Sequence, residues 1–247
     1  MKVSIITVVY NNADYIEDCM KSVVSQSYPD VEYIMIDGKS TDGTLEIISR
    51  YRDKIAKVVS EEDVGYVYAM NKGAKMATGD IVGFLHSDDI YTHSKVIEKV
   101  AAAFINRSCD SLYGNLLYVK KNNPDRIIRH WKGGDYSANK IRRGWMPPHP
   151  TFFVKRAIYE KHGYFNTNFK IAADYELILR FLYKCRISTC YINEVLAKMR
   201  WGGKSNKNIR NIAQKSLEDY RALRMYGLGI RTLLMKNIIK LPQFFLR

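Results

Sequence analysis

The chain has no run of about 18 or more apolar residues, which excludes an ordinary transmembrane helix. Its opening, MKVSIITVVY, has one lysine and a short β-like run but no small-residue cleavage site, so a secretory leader is not expected. Only four cysteines occur among 247 residues, with no CxxC pair and no histidine at zinc spacing. That excludes a disulfide scaffold and a zinc module, and leaves Cys19, Cys109, Cys185 and Cys190 as reduced core cysteines of a cytoplasmic protein. Neither GxxxxGK[ST] nor GxGxxG is present, so the phosphates of any nucleotide would have to be held by metal and basic side chains. Acidic residues become scarce toward the C-terminus. Residues 1–100 hold 11 Lys+Arg against 16 Asp+Glu, a charge of −5, whereas residues 101–247 hold 28 against 9, or +19. What remains is an ordinary globular composition, 47% apolar and 26% charged, enough for one large α/β domain or a somewhat smaller one with an appendage.

The front half alternates strand and helix patterns. Val3–Val9 is a short β-branched run suited to a buried parallel strand, and Asn11, Asn12 and Asp14 offer caps for a helix over Tyr15–Ser25. Val31–Asp37, Ile55–Ser60 and Asp80–Leu85 read as further strands, with helices to about Arg52, over Tyr66–Met76 and over Lys95–Ile105. This order predicts an open, mostly parallel sheet with helices on both faces, whose ligands sit beyond the carboxyl ends of the strands. Each predicted strand ends in polar residues: Tyr10-Asn11-Asn12, Asp37-Gly38-Lys39-Ser40, Glu61-Glu62-Asp63 and His86-Ser87-Asp88-Asp89. Four such ends in phase point to a shared site. Adjacent carboxylates repel unless neutralised, so Asp88-Asp89 is either a seat for Mg²⁺ or Mn²⁺ or an exposed helix cap.

VSIITVVYNNADYIEDCMKSVVSQSYPDVEYIMIDGKSTDGT resembles the opening of glycosyltransferase family 2, and SEEDVGYVYAMNKGAKMATGDIVGFLHSDD resembles its stretch up to the acidic metal motif. MPPHPTFFVKR, YFNTNFKIAADYELILRFL and KMRWGGKSN are similar to its acceptor-side half. The resemblance covers about residues 3–206. It implies the GT-A fold and inverting transfer from a nucleoside-diphosphate sugar.

On that resemblance Asp37 matches the acid that meets the uracil edge of a UDP-sugar, with Val9, Tyr10 and Asp63 at the same pocket. The family's Asp-Asp-Gly-Ser stands here as Asp37-Gly38-Lys39-Ser40, which loses the second acid. Asp89 is the implied metal ligand for Mn²⁺ or Mg²⁺, and Asp88 faces the ribose or donor sugar. Asp174 is the implied general base. As a bare sequence feature it is a helix N-cap, and Glu176 is the fallback base. Trp145 and His149 are expected to line the acceptor pocket. Arg200 and Lys204, in a cationic glycine-rich stretch, are expected to close over the diphosphate. Ala197 stands where processive synthases carry Gln before Arg-Trp, which with the lack of membrane spans argues against a polymerase.

The chain divides in this reading into a GT-A domain over 1–205 and a basic amphipathic tail over 206–247. A helix over Ile209–Tyr226 ends at Gly227, and beyond it Ile230, Leu233, Leu234, Ile238 and Leu241 share a face opposite Thr232, Lys236 and Lys240. With Phe244, Phe245 and Leu246 following Pro242, the tail suits an anionic bilayer, at the inner leaflet beside a polyprenyl-diphosphate-linked acceptor glycan. Docking on the protein's own core or in a homo-oligomer is the other reading. A nucleotidyltransferase would need a glycine- and arginine-rich loop after the first strand, where Tyr10-Asn11-Asn12 stands. A noncatalytic nucleic-acid binder is suggested by the net +14 but lacks interleaved basic and aromatic motifs, so no nucleic-acid partner is expected.

Overall fold

A computed structural model describes residues 1–202 and 209–239. Its first strand, β1 (Val3–Val9), is buried at every position, as a β-branched run covered on both faces should be. The chain then runs through α1 (Ala13–Val24), β2 (Val31–Asp37), α2 (Thr44–Ser49), β3 (Lys57–Ser60), α3 (Tyr66–Met76) and β4 (Ile81–Phe84). In α1 the buried residues Ile16, Cys19, Met20 and Val23 recur at helical spacing and put one face on the core. β3, β2, β1 and β4 lie side by side and all pair in parallel. The expected strand–helix alternation is therefore present, with β1 at the centre of this half.

Beyond β4 come β5 (Ile90–Tyr91), α4 (Val96–Asn106), β6 (Ser111–Lys120), β7 (Asn123–Trp131), α5 (Ala138–Arg142), β8 (Phe153–Lys155), α6 (Arg156–His162), α7 (Ala173–Ile178) and β9 (Thr189–Arg200). The sheet continues in the order β4-β8-β6-β9-β5, with β7 also on β6. Here β8 runs antiparallel to both β4 and β6, and only β6 and β9 pair in parallel. One mixed α/β sheet thus spans both halves, parallel where the donor-side motifs lie and mixed on the acceptor side.

Two further helices, α8 (Ile209–Met225) and α9 (Ile230–Ile238), pack back onto this body. The side of α9 that docks is its polar one. Thr232 and Lys236 are buried, Thr232 Oγ1 donates to the Arg142 carbonyl at 2.9 Å, and Lys236 Nζ lies 2.7 Å from Asp219 Oδ2 and over the Tyr175 ring. Ile230, Leu234 and Ile238 are more than half exposed. Lys240, Leu241, Pro242, Phe244, Phe245 and Leu246 lie outside the described residues. No helix among the described residues is long and apolar enough to cross a membrane.

Gly144 makes this docking possible. Its φ is +84°, and a Cβ there would sit 2.2 Å from the Lys236 backbone nitrogen. Gly144→Ala combines backbone strain with a clash against main chain that cannot rotate away. The expected cost is about 2–4 kcal/mol, with α9 displaced. A fall in melting temperature together with new proteolytic cuts near Gly227–Gly229 checks it; wild-type resistance would count against this packing.

Candidate active site

The strand ends expected to gather do so in register. Val9 pairs with Asp37 and Asp37 with Ser60, so β1, β2 and β3 finish on one line. Asp37 is fully buried and its carboxylate is held by three donors: the Ser40 amide at 3.0 Å, the Ser40 hydroxyl, and the Ser60 hydroxyl at 2.7 Å. Val9 is buried beneath this edge, whereas Tyr10 is 67% exposed. Gly38 leaves room for the Tyr10 ring, since a Cβ there would come within 3.3 Å of it. Lys39 adopts φ +65° to let Ser40 turn back onto Asp37, a left-handed position uncommon for a residue with a side chain.

Asparagines lace the strand ends together. Asn11 Oδ1 accepts from the Thr41 amide at 2.9 Å, joining β1 to the β2 loop, and Asn12 Nδ2 donates to Ser87 Oγ at 2.8 Å, joining β1 to the β4 loop. Asn12 takes the N-cap position of α1 as the sequence predicts, but its side chain caps nothing there and, with that of Asn11, braces the site. Asp63 accepts from Lys72 Nζ at 2.7 Å through one oxygen, and its other oxygen is buried without a partner among the described residues.

Asp88 and Asp89 follow β4 in a turn closed by the Asp89 amide on the His86 carbonyl. Asp89 is buried, and neither carboxylate oxygen has a hydrogen-bond partner among the described residues. Burial, and then the charge of Asp88, raise its acid pKa well above the usual carboxylate range, with Arg200 acting the other way. Asp88 is half-buried and forms the open side of the pair. Among the described residues no cluster of three His, Cys, Asp or Glu side chains is set to hold a metal ion. A divalent ion would fit two oxygen-donor carboxylates of which one is otherwise unsatisfied, with diphosphate and water completing its shell.

Arg200 differs from the expectation of a hand closing over phosphate. It ends β9, is buried, and spends its guanidinium on the Lys121 carbonyl, the Asp88 carbonyl at 2.9 Å and the Asp18 carboxylate, stacked over Tyr15. It fixes the Asp88-Asp89 turn from behind. Lys204 lies outside the described residues.

On the acceptor side α7 carries Asp174 in its first turn. Asp174 Oδ2 lies 3.2 Å from His149 Nδ1, and the His149 ring lies 5.7 Å, centroid to centroid, from that of His86. Asp174, His86 and His149 share a small cavity of about 30 Å³ with Met70, Phe84, Phe165, Leu177 and Ile178. Burial in this apolar surrounding drives the His149 pKa down to about 4, although Asp174 pulls it upward, and burial also lowers that of His86. His149, held neutral by burial, thus stands against the Asp174 carboxylate on the side away from solvent. Trp145, expected beside the acceptor, lies four residues earlier in the chain and lines a different cavity, its Nε1 donating to the Gly133 carbonyl at 2.7 Å.

Glu176, the fallback base, is occupied elsewhere. It is buried, paired with Arg180 and bonded by the Tyr226 hydroxyl. A second buried acid has a role that the sequence did not disclose. Glu218 of α8 accepts the amides of Lys170, Ile171 and Ala172 at 2.8–3.0 Å, so a residue of the tail holds the approach to the base-bearing helix.

The histidine pair makes stability acid-sensitive. In the unfolded chain histidine binds a proton near pH 6.5, whereas His149 in the fold does so only near 4. Between those values the unfolded state holds more protons, so stability falls as pH drops from about 6.5 toward 4. Melting temperature against pH checks it; His149→Gln should flatten part of that slope.

The family model described as glycosyl transferase family 2 matches residues 4–170. A protein of Bacillus subtilis (strain 168) named as the teichuronic acid biosynthesis glycosyltransferase TuaG is 44% identical over 131 residues, 51% of this chain and 52% of that one. The match thus spans about half the length of that relative. A PGL/p-HBAD biosynthesis glycosyltransferase of Mycobacterium bovis is 28% identical over 209 residues, 82% and 78% of the two chains. Among solved structures, S. aureus TarS 1–349 in complex with UDP-GlcNAc superposes with a TM-score of 0.72 at 20% identity, over 92% of this chain and 65% of that one. The mannosyltransferase PcManGT of Pyrobaculum calidifontis, in complex with GDP-Man and Mn²⁺, gives 0.68 at 20%, over 99% and 73%. The match over two-thirds of the chain, on a sheet whose strand ends hold the family's acidic motifs, makes this chain a member of glycosyl transferase family 2.

Proposed function

We propose that the chain transfers a sugar, with inversion, from a UDP-sugar to a hydroxyl of a glycan acceptor on a lipid diphosphate, in the assembly of a cell-surface polysaccharide. The observation that carries this reading is Asp174, 3.2 Å from a buried histidine, in a cavity where among the described residues it is the one carboxylate. TuaG's name supports the polysaccharide, and the TarS complex supports a UDP-sugar. Held by Asp88 and Asp89, Mn²⁺ or Mg²⁺ would supply charge compensation for the diphosphate.

Asp37, on exchanging the Ser40 hydroxyl that closes it in, accepts from the uracil imide, Val9 and Tyr10 flank the base, and Asp63 completes that pocket. Arg200 keeps Asp88 in place. Asp174 takes the proton of the acceptor hydroxyl as its oxygen attacks the anomeric carbon. The bond from that carbon to the donor phosphate breaks, and its electron pair leaves with UDP. One displacement inverts the anomeric centre, with no second carboxylate among the described residues at the cavity to form a covalent intermediate.

The GT-A domain spans residues 1–205, and residues 206–247 serve attachment rather than donor chemistry. α9 docks through its polar side and leaves Ile230, Leu234 and Ile238 outward, in a segment carrying ten Lys+Arg and two acids over 204–247. That suits a peripheral position on an anionic cytoplasmic leaflet. Titration calorimetry with UDP and other nucleoside diphosphates, with and without Mn²⁺, tests the donor reading. UDP is expected to bind preferentially and more tightly with the ion; equal binding of all bases would overturn the assignment of Asp37.

A further inference from the structure

Residues 163–172, between α6 and α7, deliver Asp174 to its cavity, and none of them belongs to a strand or helix. Side chains from outside the segment grip it. Arg180 donates to the carbonyls of His162, Gly163 and Tyr164 at its start, and Glu218 accepts the amides of Lys170, Ile171 and Ala172 at its end. Between these, Asn71 of α3 holds Phe165 by both of its main-chain groups. Asn71 Oδ1 accepts from the Phe165 amide at 2.8 Å, and Asn71 Nδ2 donates to the Phe165 carbonyl at 2.8 Å. A carboxamide offers an acceptor and a donor side by side, so the pair fixes the orientation of that residue as well as its position.

Phe165 carries this grip to the site. Its ring meets that of Phe84, at the end of β4, edge to face with centroids 5.1 Å apart, and it lines the cavity shared by Asp174, His86 and His149. The neighbours of Asn71 on α3 reach both sides of the reaction. Met70 lines the same cavity, whereas Lys72 holds Asp63 at 2.7 Å and also pairs with Glu61. One turn of α3 therefore touches the donor-side acids and the segment that bears the base. A helical turn sets such a separation more closely than a loop does.

We propose that Asn71 is a positioning residue for the transfer: through Phe165 it holds Asp174 at its working distance from a donor bound beside Asp63. The inference rests on the reading of Asp174 as the base and adds what aligns that base with the donor. Misplacing a reacting group by about 1 Å can cost on the order of 10²-fold in rate. The pair of Lys72 with Asp63 does not involve Asn71, so loss of Asn71 falls on turnover and spares donor affinity.

The test uses the full chain with Mn²⁺ and with water as acceptor, read as UDP released from UDP-glucose, UDP-galactose and UDP-N-acetylglucosamine. Asn71→Leu keeps the size of the side chain and loses both bonds. Asn71→Asp still accepts from the Phe165 amide but no longer donates to its carbonyl. In Asn71→Leu kcat is expected to fall about tenfold or more, with KM for the UDP-sugar and calorimetric UDP affinity within about twofold of wild type. Asn71→Asp should recover part of that loss. Ile97→Val, at a fully buried position of α4, supplies a variant of lowered stability that leaves this segment alone, and its kcat is expected to match wild type. All are assayed well below their melting temperatures. A wild-type kcat in Asn71→Leu would overturn the proposal. So would a UDP affinity that weakens as much as kcat, or an equal loss in Ile97→Val, which would mark general stability. Should Asn71→Leu not fold, Asn71→Asp decides alone, a wild-type kcat again overturning the proposal. Asp174→Asn is run beside them: if it keeps its turnover the base reading fails, and if it loses turnover while Asn71→Leu does not, only the role of Asn71 fails.

Discussion

Asp174→Asn lowers transfer by roughly 10²–10⁴-fold while UDP binds with unchanged affinity. The substitution keeps the shape of the side chain and its place in α7, but an amide cannot accept the acceptor's proton. Because Asp174 is on the acceptor side and Asp37 and Asp89 are at the strand ends, donor binding has no reason to change. The measurement pairs a transfer assay with UDP calorimetry on the same preparation. Near-normal turnover would remove Asp174 from the mechanism. A parallel loss of UDP affinity would instead point to a disturbed fold. His149→Gln should give a smaller loss, because it changes a neighbour of the carboxylate and leaves the proton acceptor itself in place.

The second large effect has opposite signs in two assays. Asp89→Asn is expected to lower transfer by about 10²-fold or more while making the metal-free protein harder to melt. Burial raises the acid pKa of Asp89, so the folded state holds this proton more tightly than the unfolded state does. That stabilising contribution is present at low pH and disappears as pH rises through the folded pKa. Above it the fold carries an ionised, buried carboxylate without a hydrogen-bond partner among the described residues. Asparagine cannot ionise, so the variant gains most on the alkaline side and little in acid. Each kcal/mol gained shifts the midpoint by roughly 2–4 °C in a chain of this size. Scanning calorimetry at two pH values, each with and without UDP and Mn²⁺, reads both signs. A variant no more stable than wild type at either pH would refute this account of Asp89.

Much of the donor side was legible because parallel strands buried on both faces are written as plain apolar runs. β1, β2 and α3 begin and end where Val3–Val9, Val31–Asp37 and Tyr66–Met76 were read. The acceptor side was harder for an equally physical reason. β6 is interrupted by Gly114 and Asn115, and Asn115 is buried because its carboxamide accepts from the Gly133 amide and the Tyr191 hydroxyl. A buried polar residue satisfied by distant partners breaks the local pattern that marks a strand. The glycines after Arg200 suggest a loop, yet Arg200 ends β9 and its contacts are with Asp18 and Asp88, which are remote in sequence. His86 carries no local signal of its place at the site, because only the packing of β4 against the His149 loop brings the two rings together. Glu218 left no local signal at all. Its three amide partners lie 46–48 residues earlier.

That bond has a consequence for how the protein comes apart. Opening α8 frees the amides of residues 170–172 and removes the Tyr226 hydroxyl from Glu176 in the same motion. In hydrogen exchange, those amides should therefore share one opening free energy with the middle of α8, although they belong to the transferase body. Partial melting of the C-terminal helices would then read out as inactivation before the parallel sheet loosens. Cutting the chain at Gly227 would likewise strip Lys236 from Asp219 and Tyr175, so a shortened chain would report on the active site as much as on the membrane.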